Sequence, residues 1–322
     1  MKIYKLSDNF TPLGEGIYFG IETEEEAPTN LVVEILELST GEVVATKLLR
    51  NVLSATVNIA PYMEHFAQRT PSAHRQTTFS EAPTAAYKIR VNDIESEEII
   101  VSINRCKIDT VPSLVTSFPK GRRLACGECD EVVIISGKGN KIYAEMESES
   151  GEILNFEYLP TSEASILTIS PDDFEQGAKE FEVAIYCAGE VLGVLRYTVA
   201  QPLKSAVRLA WLSESGAIER YTFPTSYKST LSAQKRSIRT SEGICTAHCQ
   251  AKQIVSLCSR FEPCATIEAL AHIATSPKVW IEQNGSYRLV EAASPEIDYN
   301  IFGEPSHIHF NICLWQKEAA LW

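Results

Sequence analysis

Two stretches of this 322-residue chain recur at one fixed spacing, and no other feature limits its fold so strongly. The run Leu38-Ser39-Thr40-Gly41-Glu42-Val43-Val44 returns as Ser148-Glu149-Ser150-Gly151-Glu152-Ile153-Leu154. Ser54-Ala55-Thr56-Val57-Asn58-Ile59-Ala60-Pro61-Tyr62-Met63 returns as Ser165-Ile166-Leu167-Thr168-Ile169-Ser170-Pro171-Asp172-Asp173-Phe174. Gly41 to Gly151 and Pro61 to Pro171 both span 110 residues. Matches that share a register point to duplication of one module, and about 100 residues is the size of an immunoglobulin-like β-sandwich.

Within the first unit, residues 1–105, the apolar alternation predicts strands at Ile17 to Ile21, Leu31 to Leu38, Glu42 to Thr46, Ala55 to Ile59, Tyr87 to Val91 and Glu98 to Ile103. Ser39-Thr40-Gly41 supplies a hairpin turn. Pro61 to Phe66 suits a single helical turn, and the polar, proline-bearing stretch 67–84 reads as a long exposed loop. A connector at 106–123 precedes the second unit, which ends near residue 203. Its expected strands are Glu131 to Ile135, Lys141 to Met146, Phe181 to Tyr186 and Val191 to Val199.

The block 204–322 differs in kind. Val207, Leu209 and Trp211 alternate, Ser213-Glu214-Ser215-Gly216 turns the chain, and Ile218 to Phe223 returns it as a second strand. Residues 225–264 are polar, with strands expected at Tyr227 to Ala233 and Ala251 to Ser256. Ile267, Leu270, Ala271 and Ala274 mark one helical face before Pro277. Asn284-Gly285 is a strong hairpin signal, and His307 to Trp315 alternates as a last strand. The whole reads as mainly β: two tandem immunoglobulin-like β-sandwich modules, then a β-rich assembly domain with one packed helix.

A net charge of −13 argues against nucleic acid as the main partner. The short basic runs Lys120-Gly121-Arg122-Arg123 and Lys235-Arg236-Ser237-Ile238-Arg239 are local solvated patches on this reading. No segment has the length of a signal peptide core or a membrane span, which leads us to expect a protein kept in the cytoplasm unless a larger particle carries it out. Nine cysteines without an export signal favour reduced thiols.

Candidate chemistry is sparse. Cys126-Gly127-Glu128-Cys129 has the spacing of half a zinc site but lacks a second pair nearby, Cys106 being the only close sulfur and Cys245, Cys249, Cys258 and Cys264 following irregularly in the third block. His307 and His309 share a strand face with Asn311 and Cys313, so a metal could be held there, although no carboxylate in register completes a site. Gly137-Lys138-Gly139-Asn140-Lys141 has the wrong spacing for a phosphate loop, and no nucleophile elbow is present. Asp172 with Asp173, and Asp130 with Glu131, are adjacent carboxylates whose side chains point apart on a strand. Tyr62, Tyr221 and Tyr287 could stack on sugars, with core or edge packing as the simpler role. The sequence therefore nominates no catalytic, cofactor-binding or metal-ligating residue.

Four stretches carry a resemblance: IYKLSDNFTPL (Ile3 to Leu13), LVTSFPKGRRLACGECDEV (Leu114 to Val132), VRLAWLSESGAIERYTF and SPKVWIEQNGSYRLVE. Together they resemble an uncharacterised family encoded in prophages and phage-like elements of Bacteroidetes, in which the connector carries an arginine followed by Gly-Glu and Asp-Glu, here Arg123, Gly127-Glu128 and Asp130-Glu131. The resemblance implies a non-catalytic structural or adaptor protein of a phage tail or baseplate, needing no cofactor and associating with itself and with tail components. A different expectation is a carbohydrate- or cell-surface-binding sandwich that uses loops such as 67–84. A third is an enzyme with a metal on the His307/His309 face.

Overall fold

In the computed structural model residues 9, 13, 15, 64–68, 72–74, 103, 107, 109, 284, 293–304 and 321–322 are not described, and for residues 10, 225–227 and 315–320 only the backbone is; all other residues are described in full. The first unit comprises β1 (Lys2–Lys5), β2 (Phe10–Pro12), β3 (Tyr18–Glu22), β4 (Thr29–Glu37), β5 (Val43–Val52) and β6 (Ser54–Asn58), followed by β7 (Thr78–Glu81), β8 (Thr84–Val91), β9 (Ile94–Glu95) and β10 (Ile99–Ser102). One sheet runs β1-β3-β6; the other runs β2-β10-β8-β4-β5, with β9 folded back on β8. Leu31, Val33 and Ile35 alternate inward from β4 and meet Phe19, Ile21 and Tyr87 in the core between the sheets.

The second unit repeats the plan with β11 (Ser113–Val115), β12 (Gly121–Ala125), β13 (Asp130–Ile135), β14 (Ile142–Ser148), β15 (Ile153–Tyr158), β16 (Ala164–Ile169), β17 (Glu180–Cys187) and β18 (Glu190–Ala200). Its sheets are β11-β13-β16 and β12-β18-β17-β14-β15, and β12 lies parallel to β18 as β2 lies parallel to β10. The sequence echoes fall on equivalent places. Gly41 (φ +71°) and Gly151 (φ +81°) turn β4 into β5 and β14 into β15, and Pro61 and Pro171 lie in the 3-10 turns that follow β6 and β16.

The 67–84 stretch departs from expectation. Among its described residues, Thr78–Glu81 is not loop but strand β7, which pairs antiparallel with β16 and so forms the fourth strand of the second unit's sheet. Phe79 stacks on Tyr158 with ring centroids 5.4 Å apart. The Glu81 carboxylate accepts from the Tyr158 hydroxyl and the Thr161 amide, both at 2.7 Å, and from the Ser162 amide at 3.1 Å. Partners this far along the chain are invisible to local patterning.

The remaining block contains β19 (Val207–Leu212), β20 (Ile218–Phe223), β21 (Thr225–Thr240), β22 (Gly243–Cys258), helix α1 (Cys264–Ala271), β23 (Val279–Gln283), β24 (Ser286–Ala292) and β25 (His309–Ala320). They form one seven-stranded sheet in the order β20-β19-β23-β24-β25-β22-β21. Ile267 and Leu270 of α1 and the following Ile273 cover Trp211, Phe223, Leu257 and Ile281. β21 and β22 run far beyond the short strands expected at Tyr227 to Ala233 and Ala251 to Ser256, because ladder pairing rather than hydrophobic periodicity specifies them. Asn284 lies outside the described residues, while Gly285 (φ +76°) sits in the turn between β23 and β24. No helix among the described residues is long and apolar enough to cross a membrane.

Candidate functional site: a cationic arm on a buried charged joint

β13 is buried along its whole length. Val132 and Ile134 face the sandwich core, whereas Val133 and Ile135 pack with Ala82 and Ala217 on the other side. Its polar start must then be neutralised by partners. Asp130 pairs with Arg122 and accepts from the Tyr197 hydroxyl at 2.9 Å. Glu131 is held by Arg220 at 2.9 Å and by Arg69 at 3.0 Å. Burial would raise the Glu131 carboxyl, but the two guanidinium groups outweigh it and keep it below the usual carboxylate range. Glu128 meets Arg208 at 2.6 Å, and Arg208 lies 3.2 Å from Glu282.

Glu219 on β20 belongs to the same joint. Its Oε1 accepts from the Ser117 amide at 3.0 Å, while Oε2 is buried with no hydrogen-bond partner among the described residues. Burial, only partly offset by Arg122, pushes this carboxyl up to about 7. A sequence reading had no means of finding Glu219, because its burial follows from the docking of the connector on β20.

The other singled-out residues are also placed. Asp130 and Glu131 do point apart, Asp130 to Arg122 and Glu131 to Arg220 and Arg69. Arg123, the arginine of the connector pattern, is exposed; its neighbour Arg122 is the buried one. Asp172 accepts from the Gly127 amide at 2.9 Å and Asp173 from the Thr77 amide at 2.7 Å. The Tyr221 hydroxyl donates to Glu262 at 2.9 Å and Tyr287 lies 3.3 Å from Arg220, so both rings are tied internally; Tyr62 is half-buried against the first core. The nine cysteines form no disulfide, and Cys126 and Cys129 belong to no group of three metal-ligating side chains among the described residues.

β21 follows one residue after β20, the strand that carries Arg220 into the joint. From Lys228 to Ile254 no described side chain is buried, so β21 and β22 form a two-stranded arm, flanked on one side by β25. β21 is the edge strand of its sheet. From Lys228 to the strand end at Thr240 the reach is about 40 Å at ~3.3 Å per residue. Leu231, Ile238 and Ile244 are 66, 46 and 75% exposed on it. Its charges are Lys228, Lys235, Arg236, Arg239 and Lys252 against Glu242 alone, in a chain of net −13. The opposite sign is concentrated on the outer face of β14, β15 and β17. There Glu147 and Glu182 stand directly across the ladder from each other, with Glu145 and Glu157 nearby.

At the root of the arm, Cys258 is the cross-strand partner of His309, and His307 lies two residues before it. The ligand atoms of all three lie within 4.8 Å of one another. The His307 and His309 rings meet edge to face at 4.9 Å. Asn311 instead binds Ser256 and Cys313 is buried, so the third member comes from across the ladder rather than from farther along the strand. A cleft of about 870 Å³ is lined by Arg123, Glu147, Tyr221, Phe261 and Glu262 among others, and of these Phe261 meets the His307 ring edge to face at 5.0 Å.

No family model and no curated protein matches the chain. Among solved structures, a tetra-tandem repeat from the extending region of a large adhesion protein is similar over 79% of this chain and 69% of its own, at 9% identity and a TM-score of 0.23. The chicken interferon gamma receptor alpha chain is similar over 59% of this chain and 94% of its own, at 10% identity and a TM-score of 0.19. A 1.5-MDa bacterial ice-binding adhesin is similar over 79% and 91%, at 10% identity and a TM-score of 0.21. Superpositions this loose transfer no role. The chain is a multi-module β-sandwich protein with a C-terminal β block and, among the described residues, one short α-helix.

Proposed function

We propose that this protein is a non-catalytic assembly subunit of a phage tail, baseplate or related particle, and that it associates with copies of itself through the arm. The carrying observation is the long cationic edge strand β21, which has no buried side chain among its described residues. An unpaired strand edge offers a row of backbone donors and acceptors to another chain, and its lysines and arginines select an acidic one. A second copy offers such a surface on β14, β15 and β17, where Glu147 faces Glu182 with Arg196 as a neighbouring cation, 2.7 Å from Glu182. Glu182 already meets Arg196, so Glu145 and Glu147 are the charges that an incoming cationic strand would meet. Head-to-tail contact of arm and acidic face closes into a ring when the rotation permits. The resemblance of the connector and hairpin segments to prophage-encoded proteins points to the particle.

Light scattering of the full chain and of a chain whose arm is shortened to a tight turn tests this. Concentration-dependent association of the first, absent in the second, is expected; a full chain that stays monomeric at every concentration overturns self-association.

A further inference from the structure

Three side chains at the root of the arm have the chemistry of a metal site that the assembly reading does not use. Cys258 ends β22 and His309 begins β25, paired across an antiparallel ladder, so both side chains lie on one face. His307 is two residues from His309 and joins that face. One ligand atom from each lies within 4.8 Å of the other two, close enough for modest side-chain rotations to bring them onto one ion. His307 Nδ1 is buried without a hydrogen-bond partner among the described residues. A buried imidazole nitrogen left unsatisfied is costly, and coordination of that ring supplies a reason for its placement.

We propose that Cys258, His307 and His309 bind a Zn²⁺-type ion, one per chain. A thiolate with two imidazoles is the donor set of a borderline-soft late first-row ion rather than of Mg²⁺ or Ca²⁺. Three protein ligands leave a fourth tetrahedral position for water, and Phe261 packs edge-on against His307 at 5.0 Å on one side of the site. On binding, the Cys258 thiol releases its proton to solvent and its sulfur forms the metal bond, so uptake is accompanied by proton release. The ion ties the end of β22 to the chain entering β25, and thereby anchors the arm. The proposal stands whether or not the arm associates.

Titration of the metal-free full chain with Co²⁺, read by absorption, tests it. One Co²⁺ per chain is expected, with intense d–d bands of tetrahedral geometry and a thiolate-to-metal charge-transfer band. Cys258→Ser abolishes the charge-transfer band, and His307→Ala and His309→Ala each weaken binding beyond the ~10–100-fold that loss of an outer-sphere partner costs. Cys126→Ser leaves the spectrum unchanged. Zn²⁺ added to the wild type raises its thermal midpoint and leaves that of His309→Ala, a change at an exposed position, where it was. Absence of tetrahedral bands, or a charge-transfer band that survives Cys258→Ser or vanishes with Cys126→Ser, overturns the site.

Discussion

Glu131 of β13 and Arg220 of β20 meet at 2.9 Å with both side chains out of water, and Arg69 closes on the other carboxylate oxygen at 3.0 Å. One carboxylate thus fastens three parts of the chain: the stretch before β7 in the first unit, the second unit, and the C-terminal block.

Removing that carboxylate leaves two guanidinium groups facing each other in a dry joint. Glu131→Ala is expected to lower stability by about 3–5 kcal/mol in urea unfolding. Adding Arg220→Met should recover part of the loss, because one of the stranded charges goes with it. A single substitution that costs under about 1 kcal/mol contradicts this account of the joint.

Glu219 titrates in the opposite sense to most carboxylates. Its native value near 7 lies above the ordinary 4.5, so the folded state holds a proton that the unfolded chain releases. Its contribution to stability is present below about 4.5 and is lost as pH rises toward 7. Glu219→Gln keeps an acceptor for the Ser117 amide and removes the charge. The stability of the variant relative to wild type should increase by roughly 2–3 kcal/mol between pH 5 and pH 8; a constant difference would show that the group does not titrate in this range.

Glu81 runs the other way. Burial raises its carboxyl, but hydrogen bonds from Ser162, Thr161 and Tyr158 prevail and hold it at about 2, so its contribution is present above 4.5 and fades as pH falls toward 2. Glu81→Ala should lower amide-exchange protection of Thr78–Glu81 at least about tenfold at neutral pH, with the core of the first unit unaffected.

Gly41 and Gly151 occupy the left-handed region at equivalent turns, with open space around each. Gly41→Ala and Gly151→Ala are therefore expected to cost about 1 kcal/mol each, from backbone strain alone. Unequal costs in thermal unfolding would mean that the two turns are not equivalent.

Arm docking is electrostatic on our reading. Lys235→Glu with Arg236→Glu should abolish association, as should Glu147→Lys with Glu182→Lys, and mixing the two variants should restore it in sedimentation. Wild-type association should also weaken as salt shortens the screening length to a few Å near 1 M.

The tandem sandwiches were legible because Gly41 and Gly151, and Pro61 and Pro171, mark corresponding turns, and because Leu31, Val33 and Ile35 alternate as a half-buried strand must. The helix over Ile267 and Leu270 was legible from its apolar spacing of three and four residues before Pro277. β7 was hidden, since Thr78, Phe79, Ser80 and Glu81 form a strand only through partners on β16. The long arm was hidden by its polar composition. The joint was hidden too: Asp130, Glu131 and Glu219 look like solvated acids until the docking of distant segments buries them. Cys258 joined His307 and His309 only once the register of β22 with β25 was fixed.

The pairing of β7 with β16 separates the unit of duplication from the unit of folding. The copied segment begins after residue 105, yet the second sandwich borrows four residues made before it. A fragment cut at the repeat boundary would expose the β16 edge that Thr78–Glu81 normally occupies. The second sheet is thus complete only when its fourth strand is supplied from the segment that precedes its own repeat.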